Sequence, residues 1–220
     1  VIDAPVLRWL LTLVFAATTL WYARVLVLPA ARLAVRVDAA WHMLMSIAMV
    51  AMAWPWGMSL PTVPQTVLFG VASVWFIGRI AFHRGGDHAG TLAASRSAGV
   101  HHAAMMAAMA WMVASMPSLM SGHGSDSGGG QHHHALAGGA AIPVAEASQA
   151  AAPTALVVAN VVLGAVCIIA CLPWLAQAFD LGRGLTGSRS PGLGRVVVDR
   201  CCHAAMTFGM GVMFLAMSSG

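Results

Sequence analysis

Histidine offers an imidazole nitrogen and methionine a thioether sulfur, and in this chain the two recur together at one fixed spacing. His42 is followed by Met45, Met49 and Met52, His102 by Met105, Met109 and Met112, and His203 by Met206, Met210 and Met213, at offsets of 3, 7 and 10 residues each time. On a helix turning about 100° per residue, these offsets fall at roughly 300°, 340° and 280° from the histidine. The four side chains of each set then share a strip less than about a quarter of the circumference wide. Imidazole, thioether and thiolate suit Cu(I) better than Mg, Ca or Mn. A neutral thioether also costs little to bury in hydrocarbon, where a carboxylate is expensive. Such a ladder is a chemically sensible path for a soft monovalent cation.

Other potential ligands extend the ladders at both ends. Asp38 and Asp199 precede His42 and His203 by four residues, one turn back on the same strip, whereas Ala98 holds that place before His102. His101 adjoins His102, and Cys201 and Cys202 directly precede His203. Beyond the second ladder, Met116, Met120, His123, His132, His133 and His134 could collect metal at an entrance. Plainer readings compete. A methionine stripe at helical spacing is more often packing than chemistry. A buried histidine can simply be hydrogen-bonded to a neighbouring helix, and a Gly/His-rich loop can be a solvated linker. Cys167 and Cys171, one helical turn apart in an apolar run, read as small apolar residues, and the four cysteines read as free thiols rather than a disulfide framework.

These strips need long helices to position them. Only 8% of the residues are charged, and the mean hydropathy is +0.79. Several apolar runs approach the ~20 residues that cross a bilayer, which excludes an ordinary soluble domain. The expected spans are 5–28, 38–54, 65–82, 97–116, 154–179 and 196–217. A secretory signal peptide is not expected, because the first run is too long and lacks a small-residue cleavage site. Trp54-Pro55-Trp56 ends the second span, Pro117 ends the fourth, and 118–152 reads as a flexible His/Gly/Ala-rich loop. All basic residues are arginine, and the net charge of +4 points to membrane orientation rather than nucleic acid. Arg32 and Arg36, Arg84 and Arg96, and Arg183, Arg189 and Arg195 fill the connectors after spans one, three and five. The positive-inside rule places those connectors in the cytoplasm, with the His-rich loop and both termini outside the plasma membrane.

The fifteen methionines all belong to the even-numbered spans and their outer ends. Phe15 and Trp21 in span one match Phe69 and Trp75 in span three, with Arg24 and Arg79 about one turn later, while span five keeps only Trp174. The reading is an all-α polytopic membrane bundle, one domain over 1–220, of about six helices in three pseudo-repeated hairpins.

The segments DAAWHMLMSIAMVAMAWPW and HHAAMMAAMAWM, in a six-span arginine-rich chain, resemble an uncharacterised membrane-protein family of high-GC Gram-positive bacteria. That family is known chiefly as a domain of unknown function, so the resemblance implies no activity. The Met-x-x-x-Met pairs Met45/Met49 and Met206/Met210, with Gly209-Met210-Gly211, are similar to those of trimeric copper transporters. The leading expectation is a protein that binds or conducts Cu(I), passively or as a metallochaperone-like carrier, with a membrane or metallochaperone partner. Walker A, phosphorylated-Asp and Cys-Pro-Cys motifs are not seen. The rivals are a membrane haem protein with His and Met axial ligands, and a structural or assembly subunit whose methionines only pack. A membrane enzyme binding zinc at His101, His102 and Asp38 is more distant, because no HExxH or nucleophile motif accompanies them.

Overall fold

The computed structural model describes residues 4–28, 32–82, 89–122, 144–185 and 192–219. They form helices α1 (Pro5–Val27), α2 (Leu33–Ala53), α3 (Thr62–Phe82), α4 (Ala89–Gly122), α5 (Val144–Leu185) and α6 (Leu193–Ser219), with a short 3-10 helix at Pro55–Ser59. Among the described residues there is no strand. Five of the six helices are long and apolar enough to cross a membrane. α4 is not among them, because the adjacent His101 and His102 dilute its apolar content. Large apolar side chains such as Leu13, Leu20, Val74 and Ile169 are exposed on the outer faces of α1, α3 and α5. A water-soluble protein would cover such belts.

Consecutive helices pair as α1·α2, α3·α4 and α5·α6, so the three hairpins are present. Each is fastened by identifiable chemistry. Arg36 Nε donates to the Leu26 carbonyl at 3.0 Å, satisfying one of the orphan acceptors that end α1. At the other end of that hairpin, Trp54 Nε1 donates to Thr12 Oγ1 at 3.1 Å and Trp9 meets Trp54 edge-on. Ser73 Oγ donates to the Ala103 carbonyl at 3.0 Å between α3 and α4. α5 and α6 come into close backbone contact where two glycines face each other. A Cβ on Gly211 would lie 2.9 Å from the Gly164 carbonyl oxygen, and one on Gly164 would lie 3.1 Å from that of Gly211. Small residues at such crossings let helix backbones touch.

α2 stops where its sequence says it must. Trp54 precedes Pro55 and is extended at φ −108° and ψ 148°, the region a residue before proline is pushed into. Gly57 then folds back so tightly that any side chain would strike the Ala51 carbonyl. Pro117 behaves differently from expectation: α4 continues through it to Gly122. The proline removes only its own bond to the carbonyl one turn back, a loss that helices in a membrane tolerate. α5 likewise begins at Val144, upstream of the expected start, so helix occupies both margins of the 118–152 segment. His123, His132, His133 and His134 lie outside the described residues.

The interior belongs to the even-numbered helices. α6 is the most enclosed, with 56% of its apolar window buried against 22% for α1, α3 and α5. His42 meets His203 and Ser46 meets Met206, so α2 and α6 run parallel. His102 meets His203 and Met105 meets Thr207, so α4 runs with them.

Candidate metal centre

All nine ladder methionines are buried, none more than 5% exposed, and all belong to one apolar core. With the three helices parallel, a rise of about 1.5 Å per residue stacks them in tiers roughly 4.5, 10.5 and 15 Å beyond the histidines. Side-chain hydroxyls hold part of the first tier. Ser46, four residues after His42, donates to Met206 Sδ at 3.3 Å. Thr207, four residues after His203, donates to Met105 Sδ at 3.3 Å. The same step is therefore made from α2 to α6 and from α6 to α4, whereas the equivalent position of α4 is Met106, which carries no hydroxyl.

Below the methionines, His42, His102 and His203 converge. One imidazole nitrogen from each lies within 4.8 Å of the other two. The ring centroids form a nearly equilateral triangle with sides of 4.6, 4.6 and 5.1 Å. His42 Nδ1 lies 2.7 Å from the Asp38 carbonyl oxygen. A carbonyl only accepts, so Nδ1 carries the proton and Nε2 presents its lone pair. That Nε2, like His102 Nε2, is buried without a hydrogen-bond partner among the described residues. An imidazole that donates through one nitrogen to a backbone carbonyl and keeps the other bare has the posture of a metal ligand. His203 is held from both sides, with Nδ1 3.1 Å from the Tyr22 hydroxyl and Nε2 3.5 Å from Asp199 Oδ2.

Three aromatic side chains complete the ring. Tyr22 packs on His42 and His203, at centroid distances of 5.0 and 6.2 Å. Phe76 packs on His42 and His102 at 5.7 and 5.3 Å. Trp174 packs on His102 and His203 at 6.1 and 5.0 Å. One comes from each odd-numbered helix, and each sits between two histidines. The sequence reading named Trp174 but missed the other two by one residue, pairing Trp21 with Trp75, of which Trp75 is exposed. A usable signal was present. Phe15 and Tyr22, Phe69 and Phe76, and Cys167 and Trp174 are each seven residues apart, and all six are buried.

The remaining candidates separate. His101 turns aside, with Nε2 3.0 Å from Thr207 Oγ1 and its ring against Trp174. Asp38 serves through its backbone, and its carboxylate is paired with Arg79 and approached by Trp75 Nε1 at 3.3 Å. It does not face the cluster with Asp199, because α3 lies beside it and supplies a cation. All four cysteines are free thiols. Cys202 is buried beside His203, whereas Cys201 is exposed.

Residues 34–217 match the family described as Domain of unknown function (DUF5134), a stretch that contains all three histidines and their ladders. The chain belongs to that family. Similar proteins include the uncharacterized protein Rv0970 of Mycobacterium tuberculosis H37Rv and the uncharacterized protein Mb0995 of Mycobacterium bovis, each 34% identical over 110 residues. The similarity covers 50% of this chain and 50% of each relative, so the chain spans about half the length of the relatives it matches. No solved structure matches the chain.

Proposed function

We propose that this DUF5134 protein is a membrane protein that binds a soft metal ion, Cu(I), at His42, His102 and His203 and relays it along the methionine tiers. The observation that carries this reading is the convergence of three imidazole nitrogens within 4.8 Å, two of the three imidazoles having a buried nitrogen without a partner among the described residues. Charge favours a monovalent ion. Imidazole ligates metal in its neutral form, and among the described residues the carboxylate touching the trio is Asp199, since Asp38 is matched by Arg79. A single positive charge is balanced by that carboxylate, whereas a dication buried there would keep an expensive surplus. Softness points the same way, because the nearest further donors along the axis are thioethers. The arginine-bearing helix ends face the cytoplasm in this reading, which puts the methionine tiers on the outer side of the histidines.

Packing favours a bare ion over haem. A bis-axial haem needs its macrocycle between two imidazoles, and here the rings lie 4.6–5.1 Å apart with Tyr22, Phe76 and Trp174 filling the spaces between them. The test is metal content by mass spectrometry on detergent-purified protein from copper-supplemented cells, together with its visible spectrum. Near-stoichiometric copper, lost when the three histidines are changed together to glutamine, is the expected result. Replacing Met45, Met109 and Met210 with leucine should preserve the fold and abolish or weaken copper retention. A Soret band would replace copper with haem. Protein that stays metal-free after Cu(I) loading would leave the ladders as packing and the molecule as an assembly subunit.

A further inference from the structure

A cavity of about 530 Å³ opens between α1, α2 and α6, at the helix ends that carry the arginines. Its polar wall holds Arg24, Arg195 and Arg200 against one carboxylate, Asp199, and among the described residues no ion pair joins these arginines to an acidic side chain. The rest of the wall is apolar, including Leu28 and Val35. Arg200 is held in place from behind: its guanidinium lies 4.8 Å from the centroid of the Trp174 ring, and its Nε is buried with no hydrogen-bond partner among the described residues. An unpaired buried guanidinium nitrogen in a positively charged cavity lacks an acceptor, and a multi-oxygen anion supplies one.

We propose that this cavity holds the phosphate group of an anionic phospholipid, with an acyl chain lying along its apolar wall. The chemistry follows from the two halves of the lining. Guanidinium groups recognise phosphate oxygens with paired hydrogen bonds, and basic pockets between membrane helices collect anionic headgroups. Arg24 lies in the last turn of α1 and Arg195 near the start of α6, the level at which lipid phosphates meet helix ends. Val35 and Val196 are 45% and 42% exposed at the mouth, which gives an acyl chain apolar surface that free phosphate would leave bare. The volume falls in the roughly 300–1,000 Å³ range of small-molecule sites. The site does not rest on metal binding, although it adjoins the histidines through Asp199 and through the Trp174 ring.

The experiment is native mass spectrometry of the full chain in detergent, without copper, equilibrated with equal amounts of phosphatidylglycerol and phosphatidylcholine. The expected result is one phosphatidylglycerol retained in preference to phosphatidylcholine. Arg24→Gln and Arg195→Gln, both at exposed positions, should each lower that retention about fivefold, and Arg200→Gln should do the same or more. Equal retention of the two lipids would overturn the proposal, as would undiminished retention in Arg24→Gln and Arg195→Gln. Displacement of the lipid by millimolar inorganic phosphate would also overturn it, by showing that the site takes phosphate without a lipid.

Discussion

Replacing His102 with leucine should cost the metal-free protein little stability and abolish its stabilisation by copper. In the structure His102 Nε2 is buried without a hydrogen-bond partner among the described residues, a state that costs about 1–3 kcal/mol. Leucine removes that nitrogen but also loses the contacts of the imidazole with His42 and His203 at 4.6 Å and with Phe76 at 5.3 Å. Ring contacts of this kind are worth about 0.5–1.5 kcal/mol each, so losing three, about 3 kcal/mol together, outweighs the roughly 2 kcal/mol recovered and leaves the variant about 1 kcal/mol less stable in the absence of metal. Cu(I) at a hundredfold excess over its Kd adds about 2.7 kcal/mol to the wild type and nothing to a variant that cannot bind. The gap therefore widens on adding metal, the variant lying about 1 kcal/mol below the wild type without it and about 4 kcal/mol below with it. Thermal unfolding in detergent, with and without Cu(I) under reducing conditions, reads this as shifts of roughly 2–4 °C per kcal/mol. A variant that melts below the wild type under both conditions, by a similar margin, would refute the reasoning. It would mean that the imidazole is a packing element whose loss is felt whether or not metal is present.

Tyr22→Phe removes the hydroxyl 3.1 Å from His203 Nδ1 and should weaken Cu(I) affinity by about 10- to 100-fold, the usual cost of losing a group that orients a ligand, in a competition titration. Asp38→Asn should leave copper stoichiometry unchanged, because its carboxylate pairs with Arg79, whereas Asp199→Asn should lower affinity. Equal loss in both would refute the assignment of only Asp199 to the site. The stability cost of Asp38→Asn should stay below about 1 kcal/mol, since the pair is partly exposed. Gly211→Val should destabilise the α5·α6 hairpin by about 1–3 kcal/mol in the same unfolding assay, because a Cβ there meets the Gly164 carbonyl at 2.9 Å and cannot be absorbed by a flexible side chain alone.

The sequence by itself determined the helices, their apolar outer belts and the inward strips. Hydropathy and the 3, 7, 10 spacing are local properties, and helix geometry converts them directly into a shared face, so His42, His102, His203 and their nine methionines were legible before any contact was known. The hairpins followed from the alternation of methionine-free and methionine-rich spans, and α2 ended at Trp54-Pro55 because proline restricts the residue before it. Tertiary structure decided everything that depends on how one helix is rotated and placed against the next. A step of one residue turns a side chain by about 100°, which is why Tyr22 and Phe76 face the histidines while Trp75, adjacent to Phe76, is exposed. Asp38 and Asp199 occupy equivalent positions four residues before a histidine. Only the arrival of Arg79 from α3 turned the first carboxylate into an ion pair and left the second against its imidazole. The closure of the three histidines into one triangle was likewise set by the packing of α2, α4 and α6, because periodicity fixes the face of a helix but not what stands opposite it.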